Sequence, residues 1–212
     1  MESAEENRRG RNLAKFFSAA MSENLLEMEK LRAGGMHPGS QDEQGWTALM
    51  RASQKGKSES AKWLLAKGAD CGAQNKNGIS AAMLAAEHGE EKCLGLLMAA
   101  CANVNAVSAK GKTASMIAAE MGRAGCLGML IRAEADLNKR DDYGRTAAME
   151  AAAAGSEQCV SLLADAGADM AARDLQGLRA CDWAERFGQW QLGWLSVKGA
   201  AQAGLKENKG QG

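Results

Sequence analysis

Apolar and polar positions along this chain repeat at a fixed step. Short Ala-rich stretches alternate with longer runs whose apolar residues fall at helical spacing, and a polar segment with Asn, Asp and Gly follows each pair. "GWTALMRASQKG" begins at Gly45, "GISAAMLAAEHG" at Gly78, "GKTASMIAAEMG" at Gly111 and "GRTAAMEAAAAG" at Gly144, each 33 residues after the last. A fifth, altered copy, "GLRACDWAERFG", begins at Gly177. All five keep an Ala seven residues in (Ala52, Ala85, Ala118, Ala151, Ala184) and a second Gly at 56, 89, 122, 155 and 188. Such a period is the mark of stacked units, each too small to bury a core alone.

Within a unit the pattern predicts a short helix, a Gly turn, an amphipathic helix and a polar hairpin. Leu94, Leu97 and Met98 draw the apolar stripe of one second helix. Thr47, Ser80, Thr113 and Thr146 stand where an N-cap belongs, and the second Gly supplies the positive φ that stops the first helix. Ala fills the first helix because a neighbour approaches closely on each side, and a larger residue would force the pair apart.

The period, the G-x-T-x-L-x-x-A-A frame and the "GAD" endings at 68–70 and 167–169 resemble the ankyrin repeat, over roughly residues 12–198. The resemblance implies an all-α fold, an ankyrin-repeat solenoid of helix-turn-helix units with hairpin loops, capped at both ends. The expected boundaries are a flexible N-terminus 1–11, a capping repeat 12–44, repeats 45–77, 78–110, 111–143 and 144–176, a C-terminal capping repeat 177–199 and a flexible tail 200–212. Phe16, Ala19, Ala20, Met28 and Leu31 hold the core slots of the first cap, and Trp183, Phe187, Trp190 and Trp194 are expected to cover the open end of the last. Two slots depart from the family. Its Pro is replaced by Ala48, Ala81, Ala114, Ala147 and Ala180, and its His by Met50, Met83, Met116, Met149 and Asp182. A thioether stripe packs adaptably but specifies less than hydrogen-bonding rings. Gly68 and Gly167 close second helices, whereas Cys101 and Glu134 fill the matching slots, and Gly95 and Gly128 interrupt those same helices. Residues 78–143 are therefore expected to be the softest.

Charge and chemistry narrow the function. Lys plus Arg and Asp plus Glu are both 26, so nothing favours nucleic acid or an anionic membrane. No apolar run approaches the ~20 residues of a span, and the charged start has no signal core. Six Cys without a close pairing pattern suit a reducing, cytoplasmic setting. Cys93, Cys126 and Cys159 share one repeat slot, on helices about 8–10 Å apart, too far for a disulfide, and read as core filling. No metal is expected, since no CxxC or Cys–His spacing exists. His37 reads as a turn residue and His88 as a surface contact. With no nucleophile elbow, phosphate loop, HExxH or paired carboxylates, no catalytic residue, no enzyme activity and no cofactor are expected.

The resemblance places partner contacts on hairpin tips and the exposed side of first helices. Carried onto this chain, they are Trp46, Lys55, Ile79, Glu87, His88, Lys112, Glu120, Met121, Tyr143, Arg145, Leu178, Arg186 and Phe187. The expected function is a non-catalytic, monomeric module that binds a protein partner through its concave groove, as scaffold, adaptor or inhibitor. The alternative is a structural protein that self-associates through its aromatic C-terminal unit.

Overall fold

The computed structural model describes residues 2–100 and 102–195. Among them are α1 (Glu2–Met21), α2 (Leu25–Ala33), α3 (Ala48–Gln54), α4 (Ser58–Ala66), α5 (Ala81–His88), α6 (Glu91–Ala99), α7 (Ala114–Glu120), α8 (Ala124–Arg132), α9 (Ala147–Ala153), α10 (Glu157–Asp165) and α11 (Ala180–Arg186), followed by a 3-10 turn at Trp190–Leu192. The chain divides into two compact units, residues 1–109 and 110–212.

In the first unit α3 packs between α1 and α5, each of which leans on its own partner helix, α2 or α6. Phe16, Ala20, Leu49, Met50, Ala52 and Ala85 are fully buried there. In the second, α9 packs between α7 and α11, and α8 lies against α10. Met116, Met149, Ala118, Ala151 and Ala184 are buried along that inner row. Small side chains on the inner helices let three backbones approach at once, and methionine fills what remains.

The turn glycines are alike in conformation. Gly45, Gly78, Gly111, Gly144 and Gly177 have φ between +69° and +80°, and Gly56, Gly89, Gly122, Gly155 and Gly188 between +65° and +78°. At Gly78 the space is as restrictive as the angle, since an added Cβ would lie 2.6 Å from the Ala109 nitrogen of the next hairpin. Two other residues sit in left-handed conformation without being glycine. Glu134, at φ 56°, fills the slot of Gly68 and Gly167, and Glu23, also at φ 56°, fills the slot of Gly56. Each costs about 1 kcal/mol. Cys101 lies outside the described residues.

The N-caps follow the expected pattern at three of the four sites. Thr47 Oγ1, Ser80 Oγ and Thr113 Oγ1 accept from the backbone N–H of Met50, Met83 and Met116. In the third unit the thioether in the family's His slot returns the contact, since Met116 Sδ accepts from Thr113 N–H at 3.5 Å. Thr146 departs from the expectation and makes no side-chain cap bond. The Met149 amide that it would serve donates to the Thr146 carbonyl at 3.1 Å instead, so the first turn of α9 is tighter.

The N-terminus also departs from the sequence reading. Composition leaves residues 1–11 without structure, yet α1 runs back to Glu2. Its C-terminal half is anchored by Phe16, Phe17, Ala19 and Ala20, and the polar residues before them propagate a helix already nucleated there. The tail at 200–212 lies outside the described residues.

Three buried serines, Ser53, Ser60 and Ser115, stand in apolar columns without a hydrogen-bond partner among the described residues. Ser53 occupies the slot of Ala86, Ala119 and Ala152, and Ser60 that of Cys93, Cys126 and Cys159. Ser53→Ala should therefore stabilise the chain by about 1 kcal/mol, raising its melting temperature by about 2–4 °C, as read by thermal denaturation. Amide hydrogen exchange should find α6 and α8, which contain Gly95 and Gly128, less protected than α4 and α10 of their own units. Equal protection would remove the argument from helical glycine.

Candidate functional site

The hairpins owe their shape to one side chain each. Asp42, Asn75, Asp141 and Asp174, spaced at multiples of 33, each turn Oδ1 onto two backbone amides two and four residues ahead. Asp141 Oδ1 accepts from Tyr143 N–H at 2.9 Å and Arg145 N–H at 2.8 Å, and Asp174 Oδ1 from Gln176 and Leu178. Asp42 serves Gln44 and Trp46, and Asn75 serves Asn77 and Ile79. Asp141 is the hairpin Asp that the family pattern implies. Successive tips are joined by main-chain bonds, Lys76 N–H to the Gln44 carbonyl in the first unit and Leu175 N–H to the Tyr143 carbonyl in the second. The tip side chains thus stand on a fixed base.

In the first unit, Trp46 is half-buried with the Arg51 guanidinium 3.8 Å over its ring, and Ile79 is half-buried. Lys55 is exposed at the end of α3, and Glu87 is half-buried. His88 is exposed, with Nδ1 3.1 Å from the Leu84 carbonyl. His37 behaves as a turn residue, its Nδ1 accepting from Gly39 N–H.

The second unit brings its predicted residues together. Lys112 Nζ lies 2.7 Å from Glu120 Oε2 and 3.0 Å from Glu150 Oε1, and Arg145 Nη1 is 3.7 Å from the same Glu150 oxygen. Burial pulls the Lys112 ammonium towards the neutral form, but its bonds to Glu120 and Glu150 outweigh this and hold it above the ordinary lysine range. Arg145 then extends over an indole, 4.3 Å from the Trp183 ring centroid and 5.5 Å from that of Tyr143. Arg186 sits 5.3 Å from the same Trp183 ring, and Phe187 stacks on it at 5.7 Å. Trp183 Nε1 donates to Asp174 Oδ2 at 2.9 Å, which ties the indole to the hairpin aspartate. Around this fixed centre, Tyr143 is 58% exposed, Phe187 55% and Met121 43%, and Leu178 is half-buried.

Two members were missed by sequence reasoning and one was placed differently. Glu150 is 4% exposed, in the slot that Arg51, Leu84, Ile117 and Trp183 fill in the other repeats, and a carboxylate between Ile117 and Trp183 was the available signal. Leu175, at 75% exposure, lies one residue beyond the hairpin aspartate. Trp183 is expected from sequence to cover the open end of the array, but it packs back against Arg145 and Asp174 of the preceding repeat. Of the other expected end-covering aromatics, Trp194 is half-buried, and the side chain of Trp190 lies outside the described residues.

Two thiols of the repeated slot, Cys93 and Cys159, are poorly placed for chemistry. Burial pushes the Cys93 thiol up to about 11 and raises that of Cys159, and both are fully buried and free. Among the described residues no group of three or more His, Cys, Asp or Glu could hold a metal ion. Nor is any described helix long and apolar enough to cross a membrane.

The charged cluster generates a stability prediction. Glu150→Leu supplies the residue type of Leu84 in the same slot but strips the counter-charge from Lys112 and Arg145. It should cost about 2 kcal/mol in urea denaturation, and pairing it with Lys112→Met should recover about half. Additive losses would mean that the two residues are not coupled.

Comparison with known proteins agrees with this architecture. The family model described as ankyrin repeats (3 copies) matches residues 16–108, 49–141 and 82–174. A stretch of 55 residues, 26% of this chain, is 38% identical to the G patch domain and ankyrin repeat-containing protein 1 homolog of Drosophila melanogaster, and the match covers 16% of that protein. Ankyrin repeats are generally protein–protein interaction modules. With overlapping matches from residue 16 to 174, on helix pairs whose turn glycines share one conformation, the chain belongs to the ankyrin-repeat family.

Proposed function

We propose that this protein is a non-catalytic module that holds a protein partner on its hairpin tips and inner helices, acting as scaffold, adaptor or inhibitor of that partner. The observation that carries the reading is the exposure of Tyr143 and Phe187 beside Arg145 and Trp183, a pairing of aromatics with arginine on a rigid base. Tyr, Trp and Arg are the residues in which interface energy concentrates, and a preorganised set gives up little entropy on binding. Tyr143 needs no exposure for folding, since its hairpin is held by the Asp141 carboxylate and by main-chain bonds. The buried free thiols suit a reducing compartment, and we place the protein in the cytoplasm.

The test is quantitative capture of partners from the native cell with wild type and with the Tyr143→Ala/Phe187→Ala pair. Loss of the principal partner by about tenfold or more is the expected result. Undiminished capture by the pair would move the contact surface elsewhere. Light scattering should report a monomer, whereas a dimer that disappears in Trp194→Ala would favour self-association instead.

A further inference from the structure

Resting on that reading, we infer that the face around Trp183 takes an acidic peptide segment of the partner, with a carboxylate seated between Arg145 and Arg186 and an apolar neighbour on Tyr143 and Phe187. Both guanidiniums lie against one indole, at 4.3 and 5.3 Å from its centroid. Neither is satisfied there. The Arg145 side chain is 29% exposed, and the nearest acid among the described residues, Glu150, is 3.7 Å away and already held by Lys112 at 3.0 Å. Among the described residues Arg186 donates only to the neutral Gln176 amide, at 3.4 Å. A guanidinium offers N–H donors in a fork that matches a carboxylate, and here two guanidiniums lie against one ring.

Five acids of the same unit are engaged inside it. Asp141 and Asp174 are buried and hold the hairpins, Glu150 is buried, Glu120 binds Lys112, and Asp182 binds Arg179. Arg140 and Arg173 donate to the Arg173 and Gly177 carbonyls, which positions their charges without neutralising them. Asp142 and Glu185 are exposed acids beside this face, where Arg140, Arg173 and Arg186 are exposed and Arg145 is half-buried, so arginines outnumber exposed carboxylates around Trp183. Beside these cations, Tyr143, Phe187 and Leu175 present apolar surface. A peptide that joins a carboxylate to a large apolar side chain satisfies both halves. A nucleic acid fits less well, because the Trp183 ring is already occupied by two guanidiniums and Phe187 and offers no free face for a base.

The experiment pans a display library of random dodecapeptides on the full chain and measures the affinity of the recovered peptides by fluorescence polarisation. Recovered sequences should carry Asp or Glu next to a large apolar residue, and their Kd should weaken by about tenfold in Arg186→Gln and in Arg145→Lys, which keeps the charge but loses the fork. Their binding should also weaken with added salt. Binders that need Tyr143 and Phe187 but show no acidic enrichment would overturn this inference and leave the protein-binding function standing. Peptides indifferent to all four residues would overturn both. Tight binding of a labelled oligothymidylate that Arg186→Gln abolishes would replace the acidic peptide with a nucleic acid. Circular dichroism of each variant separates lost contacts from lost folding.

Discussion

Close approach of short inner helices governs everything else in this molecule. Where α3 lies between α1 and α5, and α9 between α7 and α11, a row of Ala and Met leaves no room for larger side chains. That packing fixes the distance between successive hairpins. At this distance one tip can donate its main-chain N–H to the carbonyl of the tip before it, as Leu175 does to Tyr143. It also explains the glycines at 45, 78, 111 and 144, where the backbone has a positive φ and the next hairpin leaves little space for a Cβ, whereas at Gly177 the positive φ alone applies. Replacing the family's histidines with methionine retains the packing and, at Met116, even a weak cap contact.

Polar groups inside such a stack must be satisfied locally, because there is no room for water between the inner helices. The hairpin carboxylates and amides meet that demand with two amides each. Ser53, Ser60 and Ser115 do not, and they sit where other units use Ala, Cys or Leu. The second unit carries a larger departure, a buried carboxylate with two cations drawn in around it. Glu150 takes the slot of Leu84 and Ile117, and Lys112 and Arg145 are held in fixed positions as a consequence. A cation fixed in this way loses less freedom on meeting a partner than one on a flexible stem. Burial of Glu150 thereby links the interior of the unit to the surface proposed for binding.

The fold was largely legible in the sequence because a repeated pattern tests itself. Glycines at 45, 78, 111, 144 and 177 recur in one register, and a single backbone conformation accounts for all of them. Capping Thr and Ser were legible for the same reason, except at Thr146, where a tighter first turn gives the Met149 amide to a carbonyl. The helix at 2–11 was not legible, because its residues are mostly polar and extend a helix nucleated further on.

The site was legible in part, and the division has a physical cause. Sequence alone determined that the chain is an array of helix pairs, which side of each pair faces a neighbour, and that Tyr143, Arg145, Arg186 and Phe187 stand on the tips and inner helices. Only tertiary structure decided that Lys112, Glu150, Arg145 and Trp183, of which Lys112 and Glu150, and Arg145 and Trp183, lie 38 residues apart, form a single chain of contacts. Backbone pattern depends on short-range spacing and repeats faithfully, so it can be read from the string. Pairing between side chains of different repeats depends on which rotamers the packing allows, and that is settled when the units come together.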